Sequence, residues 1–171
     1  MLQYVIGDAT LPCVPGERIV AHVCNDIGGW GRGFVLALSR RWPEAERMYR
    51  SWHHNQANSD DWPPLALGNT LFVPVESEGS PPGWKRTWVA HMVAQHGVTW
   101  EGGIPPIRYD ALETCLRDVA FLAHETGATV HVPRIGCGLA GGRWFEVEPI
   151  LLRTVYDVAD TYVYDLPGAT D

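Results

Sequence analysis

A glycine-rich stretch between Ala21 and Phe34 is the part of this sequence best suited to binding chemistry. It reads AHVCNDIGGWGRGF, with four glycines in six positions between an apolar run and a helical pattern. Glycine permits positive φ and lets a ligand approach the backbone, and the start of a helix offers unpaired N–H groups. This stretch can therefore bind an anion such as a diphosphate with backbone groups alone.

A second glycine-rich stretch runs from Val132 to Trp144 (VPRIGCGLAGGRW) and is also followed by a helical pattern. Since the carboxyl ends of parallel strands share one edge of an α/β sheet, we expect both stretches to border one cleft. Neither contains the lysine of a Walker motif or the spacing of a dinucleotide fingerprint, which disfavours a nucleoside triphosphatase. The alternative is that these glycines only form tight turns.

Asp8 follows the first apolar run, in Tyr4-Val-Ile-Gly-Asp. A carboxylate at a strand end can accept a hydrogen bond from a ligand amine. It can equally cap the next turn, which is the commoner role of such a residue. The pattern alone leaves both roles open.

The sequence gives little support for a metal, a cofactor or a nucleophilic thiol. His53 and His54 are adjacent and therefore lie on different faces of a helix. Cys137 has no basic partner beside it that would activate its thiol. The cysteines show no CxxC pair, so we expect reduced thiols, no metal and no cofactor; they are Cys13, Cys24, Cys115 and Cys137.

Short apolar runs and helical patterns predict an α/β domain with helices on both faces of one six-stranded sheet. The predicted strands are Gln3–Ile6, Ile19–Val23, Thr70–Val75, Thr87–Val93, Thr129–Val132 and Tyr162–Tyr164. The predicted helices are Phe34–Arg41, Pro43–His54, Asp110–Glu125 and Trp144–Val158. An Asp110–Glu113 cap would begin the third helix, and Gly127 would end it.

Length and composition fit a single globular domain over residues 1–166, with a frayed tail at 167–171. The chain has 171 residues, of which 46% are hydrophobic, and a formal net charge of −7. That charge disfavours nucleic acid as a partner. No run has the length of a signal peptide or a membrane span, so we expect a cytoplasmic protein. We also expect it to be a monomer.

Three motifs together closely resemble the macro domain family over nearly the whole chain: Gly7–Ala9, His22–Phe34 and Pro133–Leu139. The first glycine-rich stretch, with Arg41–Glu46, is similar to yeast ADP-ribose 1''-phosphate phosphatases. The second is similar to the terminal ADP-ribose protein glycohydrolase group. The resemblance implies a three-layer α/β/α fold with a mixed six-stranded sheet, and ADP-ribose or an ADP-ribosylated protein as the partner.

The resemblance also assigns roles to individual residues. Asp8 and the Ala9 backbone would bind adenine, and Asn25 would face the distal ribose. Trp30 would be either a lid or a loop anchor. The full ligand-binding set comprises Asp8, Ala9, Asn25, Gly29, Trp30, Gly31, Arg32, Gly33, Phe34, Gln95, Ile135, Gly136, Cys137, Gly138, Leu139, Ala140, Gly141, Tyr164 and Leu166.

One departure from the glycohydrolase pattern bears on mechanism. Gln95 and Ala140 stand where that group has its lysine and aspartate, so a covalent lysine adduct is not available. Hydrolysis would instead use a bound water, with Asn25 and Asp26 as the expected catalytic residues. Asp26, His22 and His96 are the candidate proton carriers, although a core imidazole is the more common role for a residue such as His22.

The function predicted from these features is an ADP-ribosyl hydrolase. It would release ADP-ribose from modified carboxylate side chains, or phosphate from ADP-ribose 1''-phosphate. One alternative is a reader that binds ADP-ribose without turnover. Another is removal of ADP-ribose from nucleic acid, which the acidic charge disfavours although Arg32, Arg40 and Arg41 could form a local basic rim.

Overall fold

The computed structural model describes residues 1–55, 62–75 and 82–168. In chain order the elements are β1 (Leu2–Ile6), β2 (Gly16–Asn25), α1 (Phe34–Arg41), α2 (Pro43–His54), β3 (Thr70–Val75), β4 (Trp84–Gln95), α3 (Tyr109–Thr126), β5 (Thr129–Pro133), α4 (Trp144–Thr154) and β6 (Thr161–Asp165).

The strands form one mixed sheet in the order β1-β6-β5-β2-β4-β3. Every neighbouring pair is parallel except β3 and β4, which are antiparallel. The six-stranded mixed sheet is thus confirmed. The carboxyl ends of the five parallel strands lie at one edge, and this edge carries both glycine-rich stretches.

Helices cover both faces of the sheet, as the apolar pattern predicts. Consecutive residues of β2 point to opposite faces: Ile19 and Ala21 pack in the core beneath α3 and α4, and Val20 packs in the core beneath α1 and α2. Because a strand alternates its side chains, β2 is buried on both sides. The result is the three-layer α/β/α arrangement.

The bounds of α1 and α2 agree with the predicted ones, and α3 ends as predicted at Gly127, which has φ 67°. The predicted Asp110–Glu113 cap is wrong. Helix α3 begins at Tyr109 behind Arg108 without a side-chain cap. Glu113 instead pairs with Arg117 and Arg153.

Helix α4 ends at Thr154, four residues before the predicted end at Val158. Turns follow the helix, and Val155 is fully buried within them. The apolar pattern therefore continues along the chain beyond the last helical hydrogen bond. The predicted tail lies outside the described residues from 169 onwards. Among the helices that the structure describes, none has the length and hydropathy to cross a membrane.

Candidate active site

The two glycine-rich stretches form adjacent loops above the sheet edge: the first loop, residues 26–33, and the second loop, residues 134–143. A methyl group placed on Gly33 would lie 3.5 Å from Cδ1 of Leu139, so the loops meet. Gly31, Arg32 and Gly33 are exposed at the tip of the first loop. The structure thus brings both predicted phosphate-binding stretches together at one edge of the sheet.

Asn25 is the last residue of β2 and lies beside Gln95 at the end of β4. Its side chain forms hydrogen bonds with the first loop. Its Oδ1 accepts hydrogen bonds from the N–H groups of Gly29 (2.8 Å) and Ile27 (3.2 Å), and its Nδ2 donates to the Gly29 carbonyl at 2.7 Å. The Tyr49 hydroxyl donates to the Asn25 carbonyl at 2.7 Å. Asn25 therefore shapes the loop, and its contact with a distal ribose stays a prediction.

Trp30 is held by a closed ring of hydrogen bonds, which we call the first-loop brace. Its indole Nε1 donates to Ser39 Oγ at 2.8 Å, and Ser39 donates to Glu46 at 2.6 Å. Arg50 binds Glu46 at 2.8 Å and donates to the Trp30 carbonyl at 3.2 Å. Of the two predicted roles for Trp30, these contacts favour the loop anchor over the lid.

His22 and His91 form a buried pair beneath Trp30. His22 Nε2 lies 2.6 Å from His91 Nδ1, and the Trp30 indole meets both imidazoles edge-on. Burial lowers the pKa of His22 to about 4 and holds that of His91 well below its usual range. His22 is therefore a neutral core imidazole, as its alternative role predicted, and its side-chain partner is another histidine.

Asp26 and His96, two of the predicted proton carriers, are in contact at the mouth of the cleft. Asp26 Oδ2 lies 2.7 Å from His96 Nδ1, and Asp26 Oδ1 accepts from the Gly97 N–H at 2.8 Å. Partial burial opposes ionisation of Asp26, but these hydrogen bonds outweigh it and lower its pKa. An ionised carboxylate at Nδ1 favours the tautomer with its proton there, which leaves Nε2 of the half-exposed imidazole as the basic nitrogen.

The second loop depends on its glycines. Gly136 and Gly141 have φ of 72° and 74°, in the left-handed region that favours glycine. Gly142 donates to the Gly136 carbonyl at 2.7 Å, and a Cβ on Gly142 would lie 2.5 Å from that oxygen. Such close backbone contacts let the loop fold back on itself.

The other residues of the second loop divide into buried and exposed groups. Ile135 and Ala140 are buried, whereas Gly138 and Leu139 face solvent. Burial raises the pKa of the Cys137 thiol to about 11, and its Sγ lies against the Ile135 carbonyl. The thiol is therefore protonated at neutral pH and packs within the loop, which argues against a nucleophilic role.

The predicted adenine end lies where β1 and β6 finish. Asp8 Oδ1 accepts from the Thr10 N–H (2.8 Å) and hydroxyl (2.9 Å), so Asp8 caps the turn. Ala9 and Tyr164 are buried together with Phe34 packed against them, and Leu166 is exposed. Contacts of these residues with adenine stay predictions.

A hairpin over residues 96–106 lies beside the two loops, and His96 at its base is the one residue of it among the predicted site residues. The His96 N–H donates to the Pro106 carbonyl, and Glu101 and Ile104 exchange backbone hydrogen bonds. Between them Gly102 and Gly103 have φ of 57° and 81°, as a two-residue hairpin turn requires. The sequence Trp100-Glu-Gly-Gly-Ile104 carries that signal and could have revealed the hairpin.

Within residues 1–55, 62–75 and 82–168, no three histidine, cysteine or acidic side chains are grouped closely enough to hold a metal ion. His53 lies against the first loop, where a Cβ on Gly28 would come within 2.5 Å of its ring. His54 Nδ1 lies 2.8 Å from the Arg50 carbonyl. These two histidines thus contact protein groups, His53 the first loop and His54 a backbone carbonyl of α2.

No protein-family model matches the chain. Among solved structures, it is similar to a macrodomain protein from Streptomyces coelicolor, with 47% identity and a TM-score of 0.79 over 96% of this chain and 99% of that one. The chain belongs to the macrodomain family. Its α/β/α layers are therefore the scaffold of a macrodomain, and the binding role of its glycine loops stays a prediction.

Two kinds of curated relative match this macrodomain. The Danio rerio chromodomain-helicase-DNA-binding protein 1-like is 33% identical over 154 residues, which are 89% of this chain and only 14% of that protein. The chain thus spans a small part of this longer relative. The ADP-ribose 1''-phosphate phosphatase of Scheffersomyces stipitis is 27% identical over 171 residues, which are 92% of this chain and 96% of the phosphatase.

Proposed function

We propose that this macrodomain binds ADP-ribose in the cleft between the first and second loops. The observation that carries the proposal is the contact of two glycine-rich backbone loops at Gly33 and Leu139, above the carboxyl ends of parallel strands. Adenine would lie near Asp8 and Leu166, and the distal ribose near Asn25. The relative from S. stipitis, whose name includes ADP-ribose 1''-phosphate, supports this ligand.

The start of α1 suits the diphosphate. The helix begins at Phe34, directly after the first loop, with no side-chain cap and no acidic residue in its first turn. Its N–H groups and the positive end of the helix dipole would therefore stabilise a bound anion. Arg32 precedes it in the exposed part of the loop. This local arrangement offsets the acidic net charge of the chain.

We further propose hydrolysis at the distal ribose, with His96 as general base and Asp26 as its partner. His96 Nε2 would accept a proton from the attacking water, while Asp26 holds the Nδ1–H. The leaving group would be a carboxylate side chain or inorganic phosphate. Gln95 at the end of β4 donates to the Gly97 carbonyl at 3.0 Å and has no amine to form a covalent adduct, so water is the nucleophile.

A reader that binds ADP-ribose without turnover is the second candidate. It is favoured by the hydrogen bonds of Asn25, whose two amide atoms both contact the Gly29 backbone rather than point freely toward a substrate. The replacement of two glycohydrolase residues by Gln95 and Ala140 favours it as well. Binding and turnover must therefore be measured separately.

Calorimetry with ADP-ribose, AMP and ribose 5-phosphate tests the binding proposal. We expect ADP-ribose to bind most tightly, because only the whole ligand reaches the Asp8 end, both loops and Asn25. Equal affinities for AMP and ADP-ribose would mean that the two loops do not bind one ligand.

Turnover is tested with protein ADP-ribosylated on glutamate, protein ADP-ribosylated on serine, and ADP-ribose 1''-phosphate. If His96 is the base, His96→Gln lowers turnover by about 10²- to 10⁴-fold, the usual contribution of a general base, with little change in ADP-ribose affinity. His124→Gln, at an exposed histidine in the last turn of α3, is the matched control. Tight binding by the parent without turnover of any substrate would identify a reader instead.

A further inference from the structure

The hairpin of residues 96–106 connects β4 with α3 at the mouth of the cleft. We infer that it is a subsite for the polypeptide that carries the ADP-ribosyl group. This inference rests on the proposed binding of ADP-ribose and adds the chemical class of the group attached to it.

The hairpin is fixed in shape before any ligand binds. Its turn is closed by the paired backbone groups of Glu101 and Ile104, at 3.1 and 2.9 Å. At its base, Arg108 Nη1 donates to the carbonyls of Pro105 (2.7 Å), Pro106 (3.0 Å) and Ile107 (2.9 Å). A partner that binds this surface therefore has little loop entropy to overcome.

The hairpin contacts both loops of the proposed ligand site. A Cβ on Gly29 of the first loop would lie 3.2 Å from Val98 Cγ1. A Cβ on Gly141 of the second loop would lie 2.6 Å from the Trp100 ring and 2.8 Å from Pro105. The hairpin thus lies next to the cleft at its Asn25 and Gln95 end, where the proposed distal ribose carries its attached group.

Large apolar side chains of this hairpin are exposed. The exposed fractions are 50% for Val98, 57% for Trp100 and 60% for Ile104, and Leu139 of the second loop is 56% exposed. Grouped apolar side chains on a rigid surface are typical of contact sites for a partner, and tryptophan is the residue type most enriched among energetically important contacts. Contact with an apolar segment of a partner would therefore be more favourable for this surface than contact with water.

The charges around the hairpin favour a polypeptide over a nucleic acid. Residues 95–107 contain no lysine or arginine, the Asp26 carboxylate contacts His96 and Gly97 at the hairpin base, and Glu101 lies in the hairpin turn. The nearest arginine along the chain, Arg108, donates to backbone carbonyls at the hairpin base. The carboxylates would repel a phosphate backbone, and no lysine or arginine of the hairpin would release counterions from it. An apolar peptide next to a modified glutamate carries no phosphate charges to be repelled.

Calorimetry on the full chain tests the subsite. The probes are free ADP-ribose and a short apolar peptide that carries ADP-ribose through a hydrolysis-resistant oxime link. We expect the parent to bind the conjugate about tenfold more tightly than ADP-ribose, roughly the effect of burying one large apolar side chain. Ile104→Ser should remove this preference and leave the affinity for free ADP-ribose within about threefold, because Ile104 is not among the nearest atoms that a Cβ on any glycine of either loop would meet.

Trp100→Ser should also weaken conjugate binding, and Phe121→Ser is the control for both variants. Phe121 is 69% exposed on α3, outside the hairpin. Its loss should leave both affinities unchanged. Ile104→Ser remains decisive if Trp100→Ser disturbs the second loop through Gly141.

Two outcomes would overturn the subsite and leave ADP-ribose binding intact: a parent that binds conjugate and free ADP-ribose equally, or an Ile104→Ser variant that keeps the preference. Tighter binding of an ADP-ribosylated oligonucleotide than of the peptide conjugate would also overturn it. Absence of binding to free ADP-ribose would instead refute the proposed function itself.

Discussion

At the scale of single residues, Asp8 illustrates how one side chain can serve the fold and a ligand through different atoms. Its Oδ1 accepts both hydrogen bonds from Thr10. A ligand amine would therefore have to be bound by the other oxygen, Oδ2. A substitution that keeps one oxygen and replaces the other with an amide nitrogen can separate these roles.

We predict that Asp8→Asn and Asp8→Ala both weaken ADP-ribose binding by about 1–3 kcal/mol, the range for losing a hydrogen bond to a charged group. Asparagine keeps an oxygen for Thr10 but offers the adenine amine a second donor. Calorimetry and thermal unfolding check this together. If Asp8→Asn binds as the parent does and only Asp8→Ala loses affinity, then Asp8 acts through the turn alone.

At the scale of elements, the first-loop brace links the start of the cleft to α1 and α2. Ser39 belongs to α1, and Glu46 and Arg50 belong to α2. The hydrogen bond from Ser39, together with Arg50, lowers the pKa of Glu46, so its carboxylate is ionised at neutral pH. The brace therefore fixes both the indole and the carbonyl of Trp30 before a ligand arrives.

Glu46→Gln should weaken ADP-ribose binding about threefold to tenfold, because a looser first loop must be ordered on binding. Glu113→Gln is a matched control, since Glu113 also pairs with an arginine four residues later but on α3. Calorimetry of the two variants gives the comparison. Equal losses of affinity would mean that the brace has no specific effect on the cleft.

Local patterns account for much of what the sequence predicts about these elements. Pro43 at the first position of α2 and the glycines of both loops are local signals, and the helix bounds and loop positions follow from them. The end of α4 does not follow from a local signal, because Val155 is buried by tertiary packing beyond the last helical turn. The predicted cap of α3 is wrong for a similar reason, since the Glu113 carboxylate binds Arg153 of another helix.

Contacts between distant elements account for what the sequence does not predict about the candidate site. The first-loop brace joins a loop to two helices, and the His22–His91 pair joins β2 to β4. No spacing along the chain signals either contact. The contact between Asp26 and His96 is likewise set by the pairing of β2 and β4, although each residue was predicted separately as a proton carrier.

At the scale of the whole molecule, the core contains neutral histidines on three strands, β2, β4 and β5. Besides His22 and His91, His131 is buried between Tyr164 and Thr129, and burial lowers its pKa to about 3. A histidine in the unfolded chain titrates near pH 6.5. Between these values the unfolded chain binds more protons than the folded one, so stability falls as the pH falls.

We predict that the free energy of unfolding decreases between pH 7 and pH 5 by about 2 kcal/mol for each such histidine. Above about pH 6.5 these histidines are neutral in both the folded and the unfolded chain, so this loss of stability is absent. His22→Gln should show a shallower decrease than the parent, even if it is less stable at pH 7. Urea unfolding at pH 7, 6 and 5 measures this, and identical slopes for His22→Gln and the parent would contradict it.

The pairing of β1 with β6 has a consequence for the order in which the cleft is completed during synthesis. β1 pairs with β6 alone, and every other strand lies between them in the chain. A nascent chain on the ribosome can pair β2 with β4 and β5 before β6 emerges, whereas β1 must wait without a partner. The first and second loops can therefore assemble first, and the predicted adenine end, which includes both Asp8 and Tyr164, is completed last.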